Sequence, residues 1–470
     1  MTTPVGASGD PLRVAIIGSG PSGFYAAEHL LKSPLNIAVD MFERLPTPFG
    51  LVRGGVAPDH PKIKTVTKVY EKIAARPGFR FFGNVEMGRD IRHADLLAHY
   101  HAVIYAVGAQ SDRRMGIPGE DLAGSHPATE FVGWYNAHPD YRDLEFDLSQ
   151  RAVAVIGNGN VAMDVARILA SSHEELAVTD IADYALDALS RSRVTDIYLL
   201  GRRGPAQAAY TNPELKELGE LCDADVIVPP GEDELDPLSA DYVRTAGDRV
   251  AEKNVQMLHD YAQRKPTGKP RRIHMRFLVS PTRLIGTDRV EAIEVVHNEL
   301  VQSEDGSLRP RPTDRTEIIP VGLVFRSIGY LGLPLEDVPF DARKGVVPNV
   351  EGRVTQDGAV RVGEYVVGWI KRGPSGIIGT NKPDSQATVD QLLADFAEEK
   401  MLHPTAGDIE SLLEARGVDV VTFADWLNLD AVEQERGKAI GRPRVKYGSV
   451  EEMLEAIHHR RERVPQPSGD

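Results

Sequence analysis

Two glycine-rich loops carry residue types and spacings that suit a dinucleotide: Gly18-Ser19-Gly20-Pro21-Ser22-Gly23 and Gly157-Asn158-Gly159-Asn160-Val161-Ala162. In the first, one glycine permits a tight turn, one lets backbone N–H groups approach a pyrophosphate, and one lets helix and strand pack closely. Pro21 suits the first turn of the following helix, where its missing N–H costs nothing. Glu43 ends the next strand, Ile37 to Phe42, where a carboxylate accepts a hydrogen bond from a ribose 2′-OH. The second loop keeps two glycines and places Ala162 at the third position. Its next strand, Thr195 to Leu200, ends in Gly201-Arg202-Arg203 instead of an acid. Two guanidiniums there fit a ribose 2′-phosphate, which forked donors hold bidentately, and favour NADP(H) over NAD(H).

Each loop follows a short apolar run, Arg13 to Ile17 or Val153 to Ile156, that reads as a buried strand. Each precedes a helix with one apolar face: Phe24, Ala27, Leu30 and Leu31 in the first, Val161, Val165, Ile168 and Leu169 in the second. Two such units predict a doubly wound α/β chain with two Rossmann-like dinucleotide-binding domains. The proline- and glycine-rich stretch from Leu45 to Pro61 reads as an ordered loop, and the helix after it should bury Val66, Val69, Tyr70 and Ile73. Arg272 to Val296 alternates like a hairpin, and the last 70 residues read as charged helices packing outside the first domain.

The 470 residues, 41% hydrophobic and 26% charged, suffice for two or three domains and exclude a disordered, collagen-like or coiled-coil chain. No run of 18 apolar residues predicts a membrane span. Cys222 is the only cysteine, which excludes a disulfide framework, a CxxC pair, a cysteine-ligated cluster and a four-cysteine zinc site. Its neighbour Leu221 suggests an interior position. Met1 to Asp10 lack the pattern of a signal or transit peptide, so a soluble cytoplasmic protein is expected. The net charge of −15 argues against nucleic-acid binding and makes the location of the basic residues informative. Arg264, Lys265, Lys269, Arg271, Arg272 and Arg276 form a cluster without an acid, and Lys64, Lys68 and Lys72 are spaced along one helical face. Either group could dock an acidic protein and steer its approach.

The chain resembles the adrenodoxin-reductase type of NADPH–ferredoxin reductase, in the bacterial branch without added iron–sulfur domains. The resemblance rests on GSGPSGFYAAEHLL (18–31), PTPFGLVRGGVAPDHPKIK (46–64), FVGWYNAHP (131–139), AVIGNGNVAMDVARILA (154–170), GRRGP (201–205), NPELKEL (212–218) and VVGWIKRGPSGIIGTNKPDS (366–385). It implies an FAD domain made of residues 1–111 and 333–470, with an NADP domain, 112–332, inserted. Gly18, Gly20, Pro21, Gly23 and Glu43 match positions that hold the adenine half of FAD, and Leu51 lies in the loop passing the ribityl and pyrophosphate. Trp369, Gly376, Ile377 and Ile378 match the second flavin contact, where backbone N–H groups would stabilise the reduced ring. Asn158, Gly159, Asn160, Val161, Arg202, Arg203 and Glu214 match the NADP site. His60 and Glu214 match the pair associated with placing the nicotinamide or handling protons.

The implied chemistry is hydride transfer from NADPH to FAD, then single-electron transfer to a ferredoxin. Transfer of a hydride requires stacking at near-attack distance more than it requires an acid or base. One cysteine cannot hold an iron–sulfur cluster, so the acceptor must be a separate protein, and ferredoxins are usually acidic. Two alternatives remain: a flavoprotein with a quinone or small-molecule acceptor, and a non-catalytic NADP(H)-sensing flavoprotein. No metal is expected.

Overall fold

The computed structural model describes residues 5–7 and 9–463. A seven-stranded sheet runs in the order Asn349–Val350, Arg353–Gln356, Ala359–Val366, Ala102–Tyr105, Leu12–Ile17, Ile37–Glu43, Phe79–Gly83. The last five of these strands are parallel to one another. A parallel strand covered on both faces must be apolar throughout, and alternate residues then feed two cores. Leu12, Val14 and Ile16 join one cluster, whereas Ala15 and Ile17 join the other.

A second, six-stranded sheet is all parallel, ordered Ser125–Pro127, Leu323–Arg326, Ala152–Ile156, Asp196–Leu200, Arg271–Arg276, Ala224–Ile227. Val153 and Val155 face helices, including the buried helix Asn160–Ala170. Ala154 and Ile156 face a three-stranded antiparallel sheet, Val279–Ile285, Ala292–Gln302 and Leu308–Pro320, through Val279, Leu284, Ile293 and Ile319. The hairpin expected over Arg272 to Val296 is therefore corrected. Arg271–Arg276 is a parallel strand, and the hairpin begins only at Val279, pairing Val279–Ile285 with Ala292–Gln302. Its alternation arises because one face meets apolar core and the other meets Asp196, Glu232 and Glu317.

The chain passes between the sheets twice, and the two crossings pair as antiparallel strands, Ser111–Asp112 with Tyr330–Leu331. The C-terminal helices do more than cover the first sheet. Trp426 is buried against Phe49, and Glu433, fully buried, pairs with Arg53 at 2.6 Å. Beyond that helix, Arg442 donates to the carbonyls of Thr179 and Ile181, and Lys446 pairs with Asp180 at 3.2 Å. The tail thus straps the second body to the first.

Candidate functional site

At the first loop, strand Leu12–Ile17 delivers the chain into a turn where Gly18 takes φ +104°, and a Cβ there would lie 2.6 Å from the Ala106 carbonyl oxygen. At Gly23 a Cβ would lie 2.3 Å from the Gly18 oxygen, but at Gly20 it would meet nothing within 4 Å. Two glycines are required by packing and the middle one leaves open space. Helix Pro21–Leu30 starts there with no side-chain cap, so its first N–H groups are left for a ligand. Glu43 accepts from Ser19 N (3.2 Å) and Ser19 Oγ (2.7 Å), which fixes its carboxylate beside the loop. Phe49 N donates to Ser19 O at 3.0 Å, laying the stretch that contains Leu51 over the loop, with Leu51 itself 40% exposed.

The Trp369 segment closes the same region. Gly368 N donates to Asp384 at 2.7 Å, and Ser385 Oγ donates to Ser22 O at 3.0 Å, so this segment is tied to the start of the first helix. Trp369 Nε1 donates to Ser375 O at 3.2 Å, and its ring sits 5.8 Å from that of Tyr330. Gly376 adopts φ +80° ahead of the turn Ile378–Thr380, and the Ile377 side chain is exposed while Ile378 packs on the first core.

The second loop repeats the design. Gly157 has φ +143° and a Cβ there would lie 2.1 Å from the Ser327 oxygen, whereas at Gly159 it would meet nothing within 4 Å. Helix Asn160–Ala170 also starts without a side-chain cap. Asn160 Oδ1 accepts from Thr211 N at 2.9 Å, Val161 is half-buried, and Asn158 Nδ2 is buried with no hydrogen-bond partner among the described residues. Arg202 and Arg203 follow strand Asp196–Leu200, and neither guanidinium has a carboxylate partner among the described residues. Burial and the neighbouring Arg202 push the Arg203 pKa down, the behaviour of a cation pair that an anion would relieve.

Between the two loops lies a buried ionic cluster. Arg167, 2% exposed, reaches Asp59 at 2.5 Å, Asp164 at 2.6 Å and Glu214 at 2.8 Å. His60 Nε2 contacts Glu217 at 2.7 Å, and its Nδ1 lies 3.8 Å from Glu214 and 3.9 Å from Asp164. Asp59 and His60 come from the first body, Asp164 and Arg167 from the helix after the second loop, Glu214 and Glu217 from helix Asn212–Leu218. Burial, reinforced by Asp164, raises the Glu214 pKa to about 7 despite Arg167. Burial also raises Asp164, while Arg167 outweighs burial at Asp59 and lowers it. With more carboxylates than cations, this cluster stores a proton near neutral pH. His60, Asp164 and Glu214 place ligand atoms within 4.8 Å of one another, but Arg167 already supplies the positive charge there.

His60 and Glu214, adjacent only by resemblance in the sequence, are thus brought together. Asp59, Asp164, Arg167 and Glu217 were missed. The available signal was Asp164 and Arg167 at i, i+3 in a helix whose residues 162–170 are all buried, since buried charges there need partners.

Three expectations are corrected. Cys222 is exposed rather than interior, because it follows the buried Leu221 at a turn. The lysine stripe is broken between helices Pro61–Lys64 and Thr67–Ala74, with Lys64 turned inward onto Asp180 at 2.6 Å and Val69 exposed. The cluster from 264 to 276 is largely neutralised from within: Lys269 donates to the Leu221 oxygen, Arg271 lies 3.7 Å from Asp223, and Arg272 pairs with Asp196. Arg276 pairs with Glu232 and Glu317. Arg264, stacked on Tyr261, and Lys265 remain exposed, as do Lys68 and Lys72.

Comparison with known proteins places this geometry among relatives. Residues 12–199 match the pattern of the family described as pyridine nucleotide-disulphide oxidoreductase. The NADPH-ferredoxin reductase FprA of Mycobacterium tuberculosis is 48% identical, with 94% of this chain and 98% of that protein covered. The mitochondrial NADPH:adrenodoxin oxidoreductase of Salvelinus fontinalis is 41% identical over 94% of this chain and 90% of that protein. The solved structure of Mycobacterium tuberculosis FprA in complex with NADPH superposes with a TM-score of 0.90 at 48% identity, covering 95% of this chain and 100% of that chain.

Proposed function

The chain belongs to the NADPH–ferredoxin reductases of the adrenodoxin-reductase type, and from that premise we propose that it oxidises NADPH through a bound FAD and passes single electrons to a ferredoxin. The observation that carries the reading is the pair of loops, each with an open middle glycine and an uncapped helix start, one ending at a carboxylate and the other at two unpartnered arginines. When bound, FAD supplies the exchange between two-electron and one-electron chemistry.

In this reading Gly20 and the uncapped first turn through Gly23 present backbone N–H groups to the FAD pyrophosphate, while Gly18 makes the tight turn and Pro21 starts the helix without a donor. Glu43 accepts from the adenine-side ribose, Leu51 lines the ribityl passage, and Trp369 with Gly376, Ile377 and Ile378 borders the ring. Asn158, Gly159, Asn160 and Val161 receive the NADP pyrophosphate, with the unpartnered Asn158 amide as an available donor. Arg202 and Arg203 hold the 2′-phosphate. His60 and Glu214, with Arg167 behind them, orient the nicotinamide end and hold a proton at the Glu214 carboxyl. The division into residues 1–111, 112–332 and 333–470 belongs to this proposal. It is supported by first-sheet strands drawn from Leu12–Tyr105 and Asn349–Val366, and second-sheet strands from Ser125–Arg326.

The single exposed thiol suits a reducing compartment, and we place the protein in the cytoplasm. Among the described residues no helix is long and apolar enough to cross a membrane. The test is spectrophotometric. The purified protein should be yellow, anaerobic NADPH should bleach it, and an added ferredoxin should then be reduced. A bleached protein that reduces quinones or dyes but no ferredoxin would contradict the assignment of the acceptor.

A further inference from the structure

His60 is followed by a helix too short to place itself. Pro61–Lys64 is four residues long, none of them is buried, and Pro61, Lys62 and Ile63 are exposed. A single turn gains almost nothing from its own hydrogen bonds, so contacts from outside must hold it. Its inward contact is Lys64 Nζ to Asp180, at 2.6 Å, which reaches into the second body.

That carboxylate is shared. Lys446, its side chain 1% exposed, reaches the other oxygen of Asp180 at 3.2 Å and donates to the backbone oxygens of Arg53 and Asn136, both at 3.3 Å. Arg53 belongs to helix Leu51–Gly54, in the stretch laid over the first loop. Asn136 and Asp180 belong to the second body, where Ala182 N donates to the Tyr135 oxygen at 2.9 Å and keeps the two segments side by side. Lys446 is itself locked in place. Val445 N donates to the Glu433 backbone oxygen at 2.9 Å and Tyr447 N to its carboxylate at 3.0 Å. Arg53 grips the same carboxylate with two hydrogen bonds, of 2.8 and 2.6 Å. The contacts therefore close a ring, from the Arg53 side chain through Glu433 and Lys446 back to the Arg53 carbonyl.

We propose that Lys446 is a positioning residue for hydride transfer, fixing His60 and the second body against the flavin loop through Asp180 and Lys64. The proposal rests on the NADPH-to-FAD reading above and gives the C-terminal segment a part in it. A desolvated lysine is a poor source of stability, because apolar side chains of similar volume would serve as well. Buried ion pairs are best attested where they fix one arrangement against others. Burial lowers the pKa of Lys446 well below the ordinary lysine value and lowers that of Lys64 as well, with Asp180 opposing the shift in both. A misplacement of about 1 Å between reacting groups costs on the order of 100-fold in rate, so a brace this far from the chemistry can govern it.

The experiment uses the full-length, FAD-loaded enzyme and NADPH. In Lys446→Met, Asp180 keeps Lys64, so no carboxylate is stranded and the fold should be retained. The rate constant of flavin bleaching at saturating NADPH should fall by about tenfold or more, with the Kd for NADPH within about threefold of wild type. Two further readouts do not depend on turnover. The long-wavelength charge-transfer absorbance that NADP+ gives with the reduced enzyme should weaken. Amide hydrogen exchange should quicken over residues 62–66 and stay unchanged over the loops 18–23 and 157–162. Lys64→Met should give the same pattern, since Asp180 then keeps Lys446, and it decides the question should Lys446→Met lose its FAD. Loss of FAD from both variants would overturn the proposal. So would a lowered melting temperature with bleaching rate, charge-transfer absorbance and exchange over 62–66 as in wild type, which would leave Lys446 as a fastening of the tail. Wild-type enzyme that NADPH does not bleach would overturn the underlying reading instead.

Discussion

The two nucleotide loops share one glycine plan and differ at the strand ends they face. In both, the outer position is fixed by contact, Gly18 against Ala106 and Gly157 against Ser327, and the middle glycine opens onto free space. At the first loop the strand ends in Glu43, already held by Ser19, and Phe49 and Ser385 pack around the loop from elsewhere in the body. At the second loop, among the described residues, the strand end presents two arginines without a carboxylate partner and the loop itself an asparagine amide without an acceptor. In the proposed reading the first region holds a ribose without a phosphate, through Glu43. In the same reading the second, with its two arginines, seats the 2′-phosphate of NADPH. In that reading the glycines admit a dinucleotide and the strand end selects which.

The largest expected effect tests what joins the two regions. Arg167→Met leaves Asp59, Asp164 and Glu214 without their shared cation, and should cost about 3–5 kcal/mol in denaturant unfolding. A loss below about 1 kcal/mol would show that the cluster relaxes into solvent.

The next effect separates packing glycines from ligand glycines. Gly157→Ala should destabilise the protein by about 3 kcal/mol, from positive φ and a clash with the Ser327 carbonyl. Gly159→Ala should leave stability within about 0.5 kcal/mol and act only on NADPH, raising its KM. Equal losses of stability at the two positions would remove the distinction between them.

A smaller effect concerns the proton at Glu214. Its folded pKa of about 7 lies above the ordinary carboxylate value, so between pH 4.5 and 7 the folded state binds more protons than the unfolded state. Stability should therefore fall as pH rises through that window. In Glu214→Gln, melting temperatures from pH 5 to 8 should fall less steeply than in wild type. An unchanged slope would move the stored proton elsewhere, with Asp164 as the first candidate.

The sequence made some of this site legible because the relevant physics is local. Loop glycines, the strand ends at Glu43 and Arg202-Arg203, and the apolar helix faces all lie within short windows of chain. The ionic cluster did not show, because Asp59, Arg167 and Glu214 come from three segments and only folding places them within 3 Å. Basic residues misled for the same reason. Arg272 and Arg276 look unopposed along the chain but face Asp196, Glu232 and Glu317 across the sheet and loops. Arg113 and Arg343 look isolated and share a cleft. The C-terminal segment carried no motif, yet Arg442 and Lys446 fasten the second body through backbone carbonyls and Asp180, contacts that no periodicity encodes.

The most direct test of the contrast between the two strand ends is stopped-flow bleaching of the flavin in Arg202→Ala/Arg203→Ala, with NADPH and NADH compared anaerobically. Loss of two charge-assisted contacts to the 2′-phosphate should lower kcat/KM for NADPH on the order of 100-fold and leave NADH within about twofold. Equal losses for both nucleotides would contradict the account, because these arginines would then not be reading the phosphate that distinguishes them.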